Sequence, residues 1–303
     1  MQINGLLMKN VLKKAYRKGI ESLPKNKTFD SLVALMFFLR VHRRFPKRTN
    51  GGLNDCLFFL KATGKLSDPL RVFVTDKELV KDYVEKKVGS QYNVPTLGVV
   101  HSYQEAKSYR FPADCVIKPT HMSGPVQFRR DNGPIDLDEI KTWFDTNYYD
   151  FGREANYRDL KPKLIIEPYI FGEAGPEDYK ILCVHGKPRL IQVDLDRYGN
   201  HTRNVYTPDW QMQPFSNTYP IGKGIARPEN LDEMLRIASI LSEDFNLMRV
   251  DLYTDGKSIL VGELTNCHGN ATERYLPAPA DDTVAHMLFG EKGFSTSFLK
   301  TKA

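Results

Sequence analysis

Arg249-Val250-Asp251-Leu252-Tyr253, Thr254-Asp255-Gly256-Lys257 and Ile259-Leu260-Val261-Gly262-Glu263-Leu264-Thr265 make up the stretch on which the reading of this chain turns. Apolar residues alternate or cluster on each side of a four-residue turn signal, which predicts a β-hairpin. Asp251 and Glu263 then lie near one another on adjacent strands. Arg249 shares a strand face with Asp251, because side chains in a strand repeat every two residues. Hard oxygen donors beside a guanidinium suit Mg2+ and nucleotide phosphates better than a transition metal. The same residues also fit two solvated strands whose acids are neutralised by Arg249 and Lys257.

Upstream, Cys115-Val116-Ile117-Lys118-Pro119 is a short apolar strand closed by a lysine, which carries a burial cost unless the charge has a use. Thr120-His121-Met122-Ser123-Gly124-Pro125 follows as a small-residue loop, and Val126-Gln127-Phe128 returns. Such a unit suits the phosphates of a nucleotide, with backbone N–H groups and the lysine charge as contacts. It equally fits an ordinary hairpin. Leu164-Ile165-Ile166-Glu167-Pro168-Tyr169-Ile170 is an apolar strand ending in an acid and a bend. It either presents backbone groups to adenine and a carboxylate to its amino group or to ribose, or simply enters a turn.

With 303 residues the chain buries a sizeable core and divides into two or three lobes. Its apolar fraction of 41% describes a folded soluble protein. No apolar stretch reaches the roughly 18 residues of a membrane span, and Leu32 to Leu39 runs into Arg40, Arg43 and Arg44. Met1 to Ile20 lacks the apolar region of a secretory signal. Cys56, Cys115, Cys183 and Cys267 are far apart in sequence and form no CxxC, so reduced thiols and a cytoplasmic location are expected. The net charge of +6 is concentrated near the N-terminus. A basic helix around Leu6, Leu7, Val11, Leu12 and Tyr16 suggests weak peripheral contact with the inner face of a membrane, or a docking helix with a solvated basic face. No nucleic-acid module is present. Helices are predicted near 5–18, 30–43, 52–62, 77–87, 136–147 and 228–242, the fourth capped by Thr75 or Asp76 and stopped near Gly89. Strands are predicted near 97–100, 114–118, 126–130, 163–167, 178–184, 188–195, 247–254 and 258–265. The class is α+β, with one long helix interrupting a strand-rich second half.

The order of these parts resembles the ATP-grasp superfamily, and within it the TupA-like, or teichuronopeptide-biosynthesis, branch. Asp76-Lys77 with Tyr83-Val84, Tyr148-Tyr149 with Gly152-Arg153-Glu154, Lys161-Pro162 before Ile165-Ile166-Glu167, Asp178-Tyr179-Lys180, Arg249 to Tyr253 and Gly262-Glu263-Leu264-Thr265 carry the resemblance, collinear from about residue 45 to 290. It implies an ATP-grasp fold with a helical N-terminal region (1–110), a central lobe over the lysine strand and phosphate loop (111–168) and an antiparallel β-rich C-terminal lobe (169–303). It implies ATP and Mg2+ as cofactors. Lys77, Lys118, Ser123, Gly124, Glu167, Tyr169 and Glu173 are placed at the nucleotide, Asp251, Glu263 and Thr265 at the metal, and Arg249 and Lys180 in catalysis. Thr265 stands where most ATP-grasp enzymes have Asn, with Asn266 beside it. Met122 and Pro125 stand where relatives carry glycine. The activity implied is joining an amine or amino acid to the carboxylate of an acidic sugar or cell-envelope polysaccharide through an acyl phosphate. Arg153, Lys180, Arg197 and Arg203 suit an acidic acceptor. A sugar kinase and a non-catalytic nucleotide- or glycan-binding module are the alternatives.

Overall fold

The computed structural model describes residues 15–172, 177–196, 199–278 and 280–300. Most of the helix expected near 5–18, and with it Glu173 and Arg197, lies outside that range. The helix Lys27–His42 starts where the Asn26 side chain accepts from the Thr28 and Phe29 amides, and it stops at Arg43 in the left-handed conformation. It packs on Leu53–Ala62, a helix buried along almost its whole length.

Leu79–Val88 begins two residues later than expected. The Asp76 carboxylate accepts from the Glu78 and Leu79 amides, which leaves Lys77 in the turn ahead of the helix, and Gly89 at φ 110 ends it. Four strands, β1 (Gly98–Val100), β2 (Cys115–Pro119), β3 (Gln127–Arg129) and β4 (Leu164–Glu167), form an antiparallel sheet in the order β1-β4-β2-β3. Helices Tyr103–Ser108 and Leu137–Asp145 cover it, with Ile140 and Trp143 on the buried stripe.

The second half supplies β5 (Glu177–Val184), β6 (Lys187–Leu195), β7 (Thr202–Tyr206), β8 (Ser216–Asn217), β9 (Leu247–Thr254), β10 (Ile259–Thr265) and β11 (Tyr275–Leu276). Five of these form an antiparallel sheet in the order β10-β9-β5-β6-β7, and β8 pairs with β11. Tyr179, Ile181, Ile191, Val193, Val250 and Leu252 point to one face, which is covered by the helix Leu231–Ser242. The opposite face is apolar at one end, where Leu182, Val184 and Leu190 meet Leu53–Ala62 and a helix Ala280–Phe289. At its other end that face is charged, and the site lies there.

Ala280–Phe289 and β7 were not expected from the sequence. The helix is short and follows Pro277, so its buried residues Ala280, Val284, Ala285 and Leu288 make too brief a pattern. β7 buries Arg203 and Asn204 beside Val205, which hides strand alternation behind polar residues. Among the described residues no helix is long and apolar enough to cross a membrane. All four cysteines are buried and free.

Candidate active site

The hairpin places the two acids by means of a bulge. Ile259, Leu260 and Val261 oppose Thr254, Tyr253 and Leu252, but the register then shifts at Gly262, so that Glu263 opposes Asp251 and Thr265 opposes Arg249. Without that extra residue Glu263 would share the parity of buried Val261 and point into the core. A Cβ at Gly262 would lie 2.6 Å from the Tyr253 ring, so any larger residue there must displace that ring.

Arg249 grips Asp251 with two bonds of 2.7 Å, and its Nη2 also reaches Glu263 Oε1 at 3.1 Å and Thr265 Oγ1 at 3.1 Å. The Thr265 hydroxyl donates to Glu263 at 2.8 Å. Burial pushes Asp251 up to about 6, more strongly than Arg249 and Lys180 pull it down. Burial also opposes ionisation of Glu263, but Arg249 and Lys77 outweigh it and hold that acid at about 2. One acid is thus firmly ionised while its neighbour shares charge with a proton near neutrality.

Lys180 opposes Asp251 across β5 and β9. It is buried, donates to Asp178, and lies 3.4 Å from Asp194 and 3.5 Å from Asp251. Burial works against its charge, yet Asp251 and Asp178 raise its pKa. The charged row continues through Asp194 to Arg203 at 2.5 Å and on to Asn217 at 2.9 Å.

The other wall comes from the central sheet. Lys118 Nζ is 2.8 Å from one Glu167 oxygen, and Lys81 Nζ is 2.6 Å from the other. Both Glu167 oxygens therefore face lysines. Burial opposes its charge, and the two ammonium groups overcome that to lower its pKa. The Lys77 ammonium donates to the Met122 carbonyl, and its amide donates to Thr120 O at 3.2 Å. Burial lowers its pKa while Glu263 raises it, so Lys77 lies within charge reach of the hairpin. Ser123 lies near Tyr148. Gly124, at φ 105, has open space where a side chain would stand, and the buried Tyr169 hydroxyl has no hydrogen-bond partner among the described residues.

Two expectations are corrected by these positions. Lys77 is not a helical residue. Arg153 is 1% exposed and donates to the carbonyls of Ile20, Leu23, Pro24 and Asp150, so it fastens the N-terminal segment and is closed to any acceptor. Asn266 falls on the opposite strand face from Thr265, where it accepts from Arg71 at 2.7 Å and donates to Thr75 at 3.1 Å. Lys81 was missed, although it follows Lys77 by four residues; its partner Glu167 lies 86 positions away in sequence.

The donor set fits Mg2+. A single guanidinium nitrogen reaches both acids, so the two carboxylates converge on one point that favours positive charge. Two carboxylates would leave the other positions of an octahedron to phosphate and water oxygens, the arrangement Mg2+ prefers. Lys77, Lys118 and the loop through Ser123 and Gly124 supply cations and N–H groups suited to phosphates.

The family model for TupA-like ATP-grasp proteins matches residues 59–288, from the second N-terminal helix past the hairpin. The chain belongs to the TupA-like ATP-grasp family. Similar solved structures include D-alanine–D-alanine ligase from Bacillus anthracis complexed with ATP, at 15% identity over 64% of this chain and 54% of that one, TM-score 0.35. L-Amino acid ligase from Bacillus licheniformis is similar at 12% identity over 91% and 65%, TM-score 0.48. The ATP-grasp ligase PsnB with Mg and ADP is similar at 11% identity over 78% and 66%, TM-score 0.37. The TupA-like chain thus spans about half to two thirds of the length of these proteins. No curated protein matches it.

Proposed function

We propose that the protein is an ATP-dependent ligase that joins an amine or amino acid to a carboxylate, of a uronic acid or related sugar of cell-envelope polysaccharide, through an acyl phosphate. The observation that supports this reading is the proximity of two sets of groups: Lys77, held at the Met122 carbonyl, lies within charge reach of Glu263, which shares Arg249 with Asp251. Mg·ATP, when bound, supplies the phosphoryl group that activates the carboxylate.

The chain's own residues then have separable tasks. Asp251 and Glu263, with Thr265 on Glu263, would hold the metal. Lys77 and Lys118 would bind phosphate oxygens, with Glu167 orienting Lys118. Arg249, fixed by four hydrogen bonds, presents a rigid fork to charge developing on the acyl oxygens. Lys180, ringed by Asp178, Asp194 and Asp251, holds those acids in position. Arg203 and Asn217 extend the row toward an acidic acceptor. Positioning and charge stabilisation carry the rate, and no nucleophilic side chain is needed.

ADP release should depend on a carboxylate acceptor and rise with amine. Hydroxylamine should trap the acyl phosphate as a hydroxamate before the natural amine is known. Accumulation of a stable phosphorylated sugar with no hydroxamate would replace this reading with a sugar kinase.

A further inference from the structure

The helix Lys27–His42 buries only one of its sides. Every residue from Leu32 to Leu39 is apolar, and eight successive positions run all the way round a helix. A helix that is apolar all round is ordinarily buried all round. Here Val33, Ala34, Phe37 and Phe38 are buried, whereas Leu32 is 55% and Met36 36% exposed. Leu32, Met36, Leu39 and Arg43 recur every three or four residues, so they form one stripe opposite the buried one. Phe45, just beyond the helix, is 71% exposed, more than any other large apolar side chain among the described residues.

A second observation lies at the same end of the helix. From Ser31 to Asn54 the chain carries no acid, but it carries Arg40, Arg43, Arg44, Lys47 and Arg48. Of these five, only Arg44 forms an ion pair among the described residues, with Asp55 at 2.7 Å. Arg40 lies over the ring of Tyr16 and Arg48 over that of Phe59, which fixes both charges without neutralising them. An apolar stripe therefore runs into a cluster of cations that has an exposed aromatic ring at its centre.

Both features must be met by one partner. A second copy of this chain would bring like cations against one another across a two-fold contact. A purely ionic polymer would leave Leu32, Met36 and Phe45 in water. An anionic bilayer meets both needs, since its acyl chains take up apolar side chains at the depth where its headgroup phosphates attract Lys and Arg. We propose that the outer stripe of Lys27–His42, with the segment from Arg43 to Arg48, is a docking surface for an anionic phospholipid bilayer. The helix lies in the plane of the headgroups, Phe45 inserts, and the cations stay at the phosphates. None of these residues belongs to the cleft described above, so the proposal does not rest on the ligase reading.

The test is flotation of the full chain with vesicles of phosphatidylcholine, alone or with one part in three of phosphatidylglycerol. Partition should be about tenfold or more stronger on the anionic vesicles at about 0.1 M salt, and it should weaken at about 0.5 M. Leu32→Gln, Met36→Gln and Phe45→Ser together, or Arg43→Gln, Lys47→Gln and Arg48→Gln together, should each lower it about tenfold or more. All six side chains are exposed, so thermal unfolding should stay unchanged. Phe45→Trp should be quenched by brominated acyl chains beyond any quenching of the unaltered chain, and if one triple variant folds poorly, the other and this probe decide. No partition onto the anionic vesicles, or equal partition onto both kinds, overturns the proposal. Unchanged partition of both triple variants also overturns it, and places the contact elsewhere, as in the basic segment before Tyr16. A dimer in sedimentation equilibrium that the apolar variant dissociates would assign the stripe to a second copy instead.

Discussion

Arg249 holds both hairpin acids through one nitrogen, so its charge is fixed before any reaction begins. A group placed for the transition state affects kcat more than ground-state binding. Arg249→Ala should therefore lower kcat by about 10²–10³ with little change in KM for ATP, and Arg249→Lys should recover little, because a point charge cannot reproduce the fork. Steady-state kinetics separate these; a raised KM with kcat intact would make Arg249 a nucleotide-binding residue. Lys118→Ala should weaken a non-hydrolysable ATP analogue by about 1.5–3 kcal/mol, tenfold or more, in calorimetry with Mg2+. The pH dependence follows from Asp251. Its folded pKa of about 6 lies above the ordinary 3.8, so on this group alone stability is greatest below pH 4 and declines as pH rises through about 6. Mg2+ needs the carboxylate, so metal activation should run the opposite way and fade as pH falls through about 6, with Glu263 still ionised. At this scale the sequence showed Arg249 and Asp251 on one face, since strand alternation is local. It did not show Lys81 and Lys118 sharing Glu167, because that contact joins a helix to two strands far apart in the chain.

Strands and helices were readable wherever periodicity ran long enough. Leu137–Asp145, Leu231–Ser242, β9 and β10 fall within a few residues of expectation. The bulge at Gly262 was not readable, since a register shift leaves no trace in apolar spacing, yet it decides which way Glu263 points. Gly262→Ala would drive a methyl against the Tyr253 ring and should cost about 1–3 kcal/mol in thermal unfolding. It should also weaken metal activation by turning Glu263 away from Asp251. Adding Tyr253→Ala removes the clash, so the double variant should regain part of both; failure to regain either would mean that the bulge does not depend on this contact.

Across the whole molecule, the segment from Thr75 to Asn93 joins the two sheets. Lys163 reaches Asp76 at 3.1 Å, Lys81 reaches Glu167 on β4, and Asn93 bridges to Val261 on β10. Collinear motifs in the sequence implied a shared cleft, but the fastenings that hold it are ion pairs and single bridges with no periodic signature. A ligand that contacts both walls adds to these fastenings only in the folded state. Mg2+ with a non-hydrolysable ATP analogue at a hundred times its Kd should therefore stabilise the protein by about 2.7 kcal/mol in chemical denaturation, and neither component alone should do as much. An unchanged midpoint would mean that the cleft binds no nucleotide.

Lys77 addresses the main-chain oxygen of Met122, an atom that every amino acid carries, whereas the Met122 side chain only fills an apolar space among Ile117, Ile140 and Trp143. The two ends of that contact are therefore under unequal mutational constraint. In a library randomised at both positions and selected for activity, position 122 should return leucine, isoleucine and other apolar residues of similar volume, while position 77 should return lysine nearly alone.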